Sequence, residues 1–395
     1  MLLFLLLVSV VFAIYLFGMI WARHQWNNCL PVLDGAPDVV FFSILIPARN
    51  EAERIRPCLE SIRALNYADD LFEVLVIDDH STDETASLVQ QFQQQMPNLR
   101  LIRLADHLSE ADHSLLSYKK KAIETGVALS QGSWMVTTDA DCMVPANWLQ
   151  RMAMAINQWQ PDCLVMPVKM IREKNNADNW LSIFQQLDFL SLQGITGMGI
   201  RSGKLYLSNG ANFAYQKKLF LAVNGFQEAD DIASGDDLLL LHKFHFQAHA
   251  RIEYLQSTDV MVSTPVEPTI ASFIQQRRRW AGKSNRYLDK KILPVMLLVF
   301  AVNLLIVLSA IRYLLLPGGL CTSWGCISYG QLTLVLLLIK TTGELCFIWP
   351  VARFFKQQSL LWYFPLMQPL HVLYTVVMAF LGQAQQYEWK GRRVR

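Results

Sequence analysis

Met1 to Trp21 is almost entirely apolar and has no charged side chain. A helix of that length crosses roughly 30 Å of hydrocarbon, so this end of the chain reads as either a membrane helix or a cleaved leader. No basic residue precedes the run and no small-x-small site follows it, which favours a retained anchor over residues 1–22. A second apolar block begins near Ile292. Ile292 to Leu316 is interrupted by Asn303 and Arg312, Gln331 to Val351 carries Lys340 and Glu344, and Leu360 to Leu381 contains Pro365 and Pro369. The chain therefore divides into an anchor (1–22), a central domain (39–290), a membrane region (292–382) and a basic tail (383–395). Lys340 and Glu344 stand four apart, on one helix face, where a structural ion pair within a helix bundle is the expected use.

Basic residues set the orientation. Arg23 and His24 follow the first apolar run, and Arg277, Arg278, Arg279, Lys283, Arg286, Lys290 and Lys291 precede the second block. Both flanks belong to the central domain, which is expected on the cytoplasmic side of an inner (plasma) membrane. Arg353 and Lys356 return the chain to that side, and a third full crossing would carry the basic tail Lys390–Arg395 outward. Pro365 and Pro369 permit a re-entrant or interfacial last segment instead, which keeps the tail inside. Trp324, Trp349 and Trp362 are expected as interfacial belt residues.

The formal net charge is only +2, and the cations gather at membrane borders. That distribution fits contact with anionic lipid heads and excludes a nucleic-acid partner as the main function. The seven cysteines form no CxxC pair, so a zinc site is not indicated. Cys321 and Cys326 share the expected outer loop, where both a disulfide and a free pair are open.

Within the central domain, short β-branched runs alternate with helical patterns. Val39–Ile46, Phe72–Ile77, Leu99–Leu104 and Ser133–Thr138 read as strands, and Glu51–Leu65, Thr85–Gln95 and Lys119–Leu129 as helices. This alternation predicts an α/β fold with a mostly parallel sheet covered on both faces. Ligands of such sheets bind beyond the carboxyl ends of the strands. Pro47, Asp78, Asp79, Asp139 and Asp141 all fall there.

Asp139-Ala140-Asp141 follows a strand directly, and two carboxylates at that spacing suit Mg²⁺ or Mn²⁺. A turn or helix cap before Pro145 is the plain alternative. Asp78-Asp79 can cap a helix with Ser81 and Asp83, or a carboxylate there can accept the imide proton of a uracil ring. Asp236-Asp237, after Ser234-Gly235 and before four leucines, is either a structural helix start or a site for a general base. Gln276-Arg277-Arg278-Arg279-Trp280 is either a membrane-border cluster or a diphosphate site, with the planar fork of Arg279 on phosphate and Trp280 as a platform for the acceptor. His242, His245 and His249 have helical metal-ligand spacing, but no carboxylate or cysteine stands ready to complete a site.

Taken together, in order and with sensible spacing, these motifs resemble the membrane-bound, inverting glycosyltransferases of family 2. Pro47-Ala48-Arg49-Asn50-Glu51 is similar to the family's first nucleotide-contact loop, and Ile77 to Thr85 to its second, with Asp79 at the base-contacting position. Lys119 to Gly126 resembles its lysine motif, with Glu124 in place of the usual asparagine. Gly210 to Tyr215, containing Asn212, looks like the segment lining the donor-sugar pocket, and Gln276 to Trp280 matches the Gln-x-x-Arg-Trp signature. The resemblance covers Phe41 to Trp280 and implies a GT-A fold. It implies Lys119 as a diphosphate contact, Asp139 and Asp141 as metal ligands, and Asp237, beside Asp236, as the base of one inverting displacement. It further implies a nucleotide-sugar donor, expected to be a UDP-sugar, with either a membrane lipid or a growing glycan as acceptor. The few apolar segments and the Trp389-Lys390-Gly391-Arg392 tail favour the lipid. A processive poly-N-acetylglucosamine, chitin or hyaluronan-like synthase is the alternative. A transporter with a nucleotide-binding regulatory domain would carry a phosphate-binding Gly-x-x-x-x-Gly-Lys-Ser/Thr loop, which this sequence lacks.

Overall fold

The structure is a computed structural model describing residues 2–32, 35, 39–108, 117–172, 179–227, 235–281, 289–315, 318–322, 325–381, 387–389 and 392–394. Lys283, Arg286, Ser234, Trp324 and the Lys390-Gly391 step lie outside that set. The strand patterns of the central domain become β1 (Phe42–Ala48), β2 (Phe72–Asp78), β3 (Leu99–Arg103) and β4 (Trp134–Thr137). They pair in parallel in the order β3-β2-β1-β4, with Ala48 opposite Asp78 and Leu45 opposite Thr137. All seven residues of β2 are buried, as expected of a strand covered on both faces. Helices α2 (Ile55–Arg63), α3 (Thr85–Gln93) and α5 (Trp148–Trp159) cover one face, and α4 (Tyr118–Leu129) covers the other.

The sheet continues beyond β4 with short strands that the sequence pattern does not reveal. These are β5 (Cys163–Val165), β7 (Phe213–Gln216) and β8 (Ile252–Tyr254), completing the order β3-β2-β1-β4-β7-β5-β8. β7 runs antiparallel to β4, with Thr137 opposite Phe213. That reversal brings the start of β7, and Gly210 just before it, to the carboxyl edge of the parallel strands. A small parallel pair, β6 (Val168–Ile171) and β9 (Val262–Pro265), flanks the main sheet.

Among the described residues, four helices are long and apolar enough to cross a membrane, one near the start and three after the central domain. They are α1 (Leu2–Asn27), α10 (Ile292–Leu315), α11 (Tyr329–Phe354) and α12 (Phe364–Leu381). α12 is one continuous helix across both prolines. Pro365 lies in its first turn, where the backbone N–H has no partner to lose, and Pro369 lies inside the helix. Tyr374, midway along it, still packs on Phe184 and Phe273 of the central domain. The loop between α10 and α11 forms a hairpin of β10 (Gly319–Thr322) and β11 (Gly325–Ser328), closed by a Cys321–Cys326 disulfide.

The long apolar helices are fastened to the central domain through α6 (Trp180–Arg201), which buries 17 of its 22 residues. A Cβ at Gly197 would come within 2.6 Å of Trp26, and one at Gly194 within 2.8 Å of Phe347. The absent side chains therefore let α1 and α11 lie against α6. Trp26 fills that junction against Tyr254, Phe354 and Phe355. The Lys340–Glu344 pair forms at 2.8 Å, joined by Gln368 of α12 and by the Tyr15 hydroxyl of α1.

Candidate active site

The carboxyl ends of β1, β2 and β4 open into a cavity of about 950 Å³. Pro47, Arg49, Glu51, Asp79, Lys119, Asp139, Asp141, Gly210, Asp236, Asp237, Gln276, Arg279 and Trp280 all line it. Segments as far apart in the chain as Pro47 and Trp280 thus meet around one space.

The first two loops are tied together before any ligand is considered. The Asp79 amide donates to the Ala48 carbonyl (2.8 Å), and Arg49 Nη1 donates to the Asp79 carbonyl (2.8 Å). The Glu51 amide donates to Thr85 Oγ1 (2.8 Å), and the Ala52 amide to Asp83 Oδ2 (3.0 Å). Burial pushes the Asp83 carboxyl up, but donation from Thr85 and Ala52 prevails and holds it below the ordinary aspartate value. Asp79 Oδ1 also meets His80 Nδ1 at 2.9 Å.

The acidic clusters converge on Lys119. Its Nζ lies 2.8 Å from Asp139 Oδ1 and 3.3 Å from Asp236 Oδ2. Burial disfavours the ammonium, yet Asp139, Asp236 and Asp237 more than offset this and raise its pKa. Lys119 therefore stays charged well past the unfolded lysine value of about 10.4. Asp236 and Asp237 begin α8 (Asp236–Phe246) after Gly235, which adopts φ +85°. Gly210 packs among them: its amide donates to Asp237 Oδ2 (2.9 Å) and its carbonyl accepts from Thr137 Oγ1 (2.9 Å). A Cβ there would sit 3.2 Å from Asp236 Oδ2 and 3.7 Å from Lys119 Nζ, so glycine keeps this corner open.

Asp139, Asp141 and Cys142 place one potential ligand atom each within 4.8 Å of one another, the one such group among the described residues. Burial raises the Cys142 thiol well above its ordinary value, so it remains a protonated donor, 3.5 Å from Asp141 Oδ1. The two carboxylates alone make an oxygen site that fits Mg²⁺ or Mn²⁺. Arg54 Nη1 stands 3.9 Å from Asp141 Oδ2, a neighbour that no motif marks.

α9 (Ile270–Ala281) carries the Gln-x-x-Arg-Trp segment along the cavity. Gln276 Nε2 donates to Glu267 Oε1 (3.0 Å), and the Trp280 ring packs 6.0 Å from Phe189. Arg277, at a variable position of the motif, is buried over the Trp280 ring (4.3 Å) and pairs with Asp188 at 2.8 Å.

Two expected donor contacts have other partners. Asp78 is buried, does not line the cavity, and accepts from the Ser81 amide (3.3 Å), a bond within the turn before α3, whose N-cap is Glu84. Asn212 is fully buried away from the cavity; its Nδ2 donates to the Pro167 and Val260 carbonyls and its Oδ1 accepts from Trp148 Nε1. It stitches strands together because an amide satisfies both backbone acceptors and an indole donor. Glu124 accepts from the Phe226 amide (3.2 Å). His242 meets the Tyr206 carbonyl and His245 stacks on the Tyr206 ring, so the histidine series forms no metal cluster among the described residues.

The model of glycosyl transferase family 2 matches residues 43–222, and that of glycosyl transferase family group 2 matches residues 134–380. The chain belongs to glycosyl transferase family group 2. Among curated relatives, the glycosyltransferase is 27% identical over 271 residues to a beta-monoglucosyldiacylglycerol synthase of Synechocystis, covering 66% of this chain and 52% of that one. It is 33% identical over 111 residues to glycosyltransferase AglE of Haloferax volcanii, covering 28% and 34%. The chain thus spans between a third and about half of the length of these relatives. The mannosyltransferase PcManGT of Pyrobaculum calidifontis, solved with GDP-Man and Mn2+, shares the fold at TM-score 0.52 and 20% identity, over 95% of this chain and 97% of that one. The enzyme therefore has the GT-A type α/β domain, with a mostly parallel sheet.

Proposed function

We propose that this glycosyltransferase moves a sugar, with inversion, from a nucleotide-sugar donor to a hydroxyl of a membrane lipid, and that the donor is a UDP-sugar. The supporting observation is the continuity of one cavity: it runs from Asp79, Asp139, Asp141 and Asp237 to Val299 and Phe300 of α10 and Met378 of α12. A polar donor and an apolar acceptor chain have separate walls within the same space. Relatives named for monoglucosyldiacylglycerol synthesis agree with a glycerolipid acceptor.

In this reading the central domain, residues 39–290, works at the cytoplasmic face of the plasma membrane, with Arg23, Lys290, Lys291, Arg353 and Lys356 toward the lipid heads. Asp79 accepts from the base, and Pro47, Arg49 and Glu51 shape its pocket. Asp139 and Asp141 would hold Mg²⁺ or Mn²⁺, which when bound offsets the charge of the leaving diphosphate. Lys119 and Arg279 supply positive charge on the same side, and Lys119 is preorganised by Asp139 and Asp236. Asp237, held by the Gly210 amide, takes the proton of the acceptor hydroxyl as its oxygen bonds to the anomeric carbon. The bond from that carbon to the diphosphate breaks in the same step, on the opposite face. Trp280 offers the acceptor a flat apolar wall.

A thermal-shift screen of UDP-glucose, UDP-galactose, UDP-N-acetylglucosamine and GDP-mannose with Mn²⁺ tests the donor side. One cognate donor is expected to stabilise by about 2.7 kcal/mol at a hundredfold excess over its Kd, and Asp141→Ala to abolish that response. Incubation with labelled donor and diacylglycerol-containing vesicles tests the acceptor side. One sugar per lipid supports the reading; a polymer ladder replaces it with a polysaccharide synthase.

A further inference from the structure

Beyond the donor pocket the cavity wall carries a second polar group that no sugar-transfer motif accounts for. Asp188 of α6 pairs with Arg277 of α9 at 2.8 Å, and His371 Nε2 of α12 lies 3.7 Å from the other Asp188 oxygen. All three residues line the cavity. The Arg277 guanidinium is held between Phe273 (5.0 Å) and Trp280 (4.3 Å), which fixes its position while leaving its edge for hydrogen bonding. Arg277 is 3% exposed, and its Nε and Nη1, together with His371 Nδ1, are buried atoms with no hydrogen-bond partner. Buried donors left unmet are costly, and these stand where the catalytic domain and the long apolar helices share a wall.

We propose that the Asp188–Arg277–His371 cluster receives the acceptor headgroup and selects a neutral, hydroxyl-bearing lipid over an anionic one. The proposal rests on the lipid-acceptor reading above. Its basis is charge. Arg277 is matched by Asp188, and the nearby Lys340 is matched by Glu344 at 2.8 Å. Gln368 and Tyr15, which also line the cavity, are neutral. A phosphate here meets two carboxylates along with the two cations, and so gains little. A glycerol ester carbonyl only accepts and carries no charge, so it can take the unmet proton of Arg277 Nε or Nη1 and leave the acceptor hydroxyl for Asp237. The apolar lining by Val299, Phe300 and Met378 continues from this cluster and accommodates the lipid chain.

The test uses the full-length enzyme in phosphatidylcholine nanodiscs with Mn²⁺ and the labelled cognate donor. The acceptor is either diacylglycerol or phosphatidylglycerol; both bear a free hydroxyl, and only the second bears a phosphate. The native enzyme is expected to prefer diacylglycerol by at least about tenfold in kcat/KM. Asp188→Asn leaves the Arg277 charge unmatched, and is expected to shrink that preference by about tenfold with the donor KM unchanged. A merely structural role for Asp188 would lower both rates together. If Asp188→Asn is not recovered folded, His371→Asn serves, with about a fivefold rise in the diacylglycerol KM and an unchanged donor-induced melting shift. Equal or better use of phosphatidylglycerol by the native enzyme, or an unchanged preference in the folded variants, overturns the cluster's role while the lipid-acceptor reading stands. A polymer product with no labelled lipid overturns that reading itself, and the headgroup proposal with it.

Discussion

The two ends of the cavity handle charge in opposite ways. At the donor end, Asp139, Asp236 and Asp237 crowd around a single ammonium, Lys119, and Asp141 stands beside them. At the membrane end, Lys340 pairs with Glu344 and Arg277 with Asp188. The first arrangement is strained by repulsion and is complementary to cations and to a diphosphate whose charge changes during reaction. The second is balanced before anything binds, as low-dielectric surroundings require of buried ions. Chemistry is expected to be sensitive to single substitutions at one end, and stability at the other.

The largest effect separates the ends outright. Asp237→Asn is expected to lower transfer by about a thousandfold while the donor-induced melting shift persists; full turnover by this variant would remove Asp237 from the base role. Next, Lys340→Met leaves Glu344 buried without its cation and is expected to cost about 3 kcal/mol of stability with the donor KM unchanged. The double variant Lys340→Met, Glu344→Leu should cost less than the single one in the same urea titration, because the pair rather than either charge is what the fold tolerates. If the single variant instead raised the donor KM, the division between ends would be wrong. A smaller effect, about 2 kcal/mol, is expected for Gly197→Ala, whose Cβ would meet Trp26 at 2.6 Å and push α1 from α6. Its readout is a lower melting temperature with kcat intact.

The smallest effect belongs to Asp83, a brace of the donor loops. Its carboxyl titrates below the ordinary aspartate value, so its contribution is fully present above the unfolded value of about 3.9 and is lost as pH falls through the lower folded one. Asp83→Asn is expected to cost about 0.5 kcal/mol at pH 7. The gap in melting temperature should narrow as the pH falls below the unfolded value and through the lower folded one, where the native carboxyl protonates too. A gap that persists there would show that the brace does not depend on charge.

Local patterns in the chain were enough to identify β1 to β4 with α2, α3 and α4, because each strand is a short β-branched run and each helix carries one apolar face. The apolar segments were equally plain, since the bilayer demands long uncharged runs. The acidic clusters, Lys119 and the Gln-x-x-Arg-Trp segment were legible as residue types at strand ends and borders. α6 was not, because a helix buried on nearly every side has no polar face to mark its period. β5, β7 and β8 were missed because strands of three or four residues carry little pattern of their own, and these lack the acidic pair that marks the end of the equally short β4. Only the folded chain separated Asp79, which lines the cavity, from Asp78, which bonds within a turn, or moved Asn212 from sugar pocket to interior strut. Adjacent residues on an extended backbone point to opposite sides, and side is a tertiary property. The reversal of β7 that delivers Gly210 to Asp237, and the meeting of Asp188, Arg277 and His371 from three helices, were likewise decided by packing. The identities of these residues were written in the chain; which of them share a wall depended on contacts between segments far apart along it.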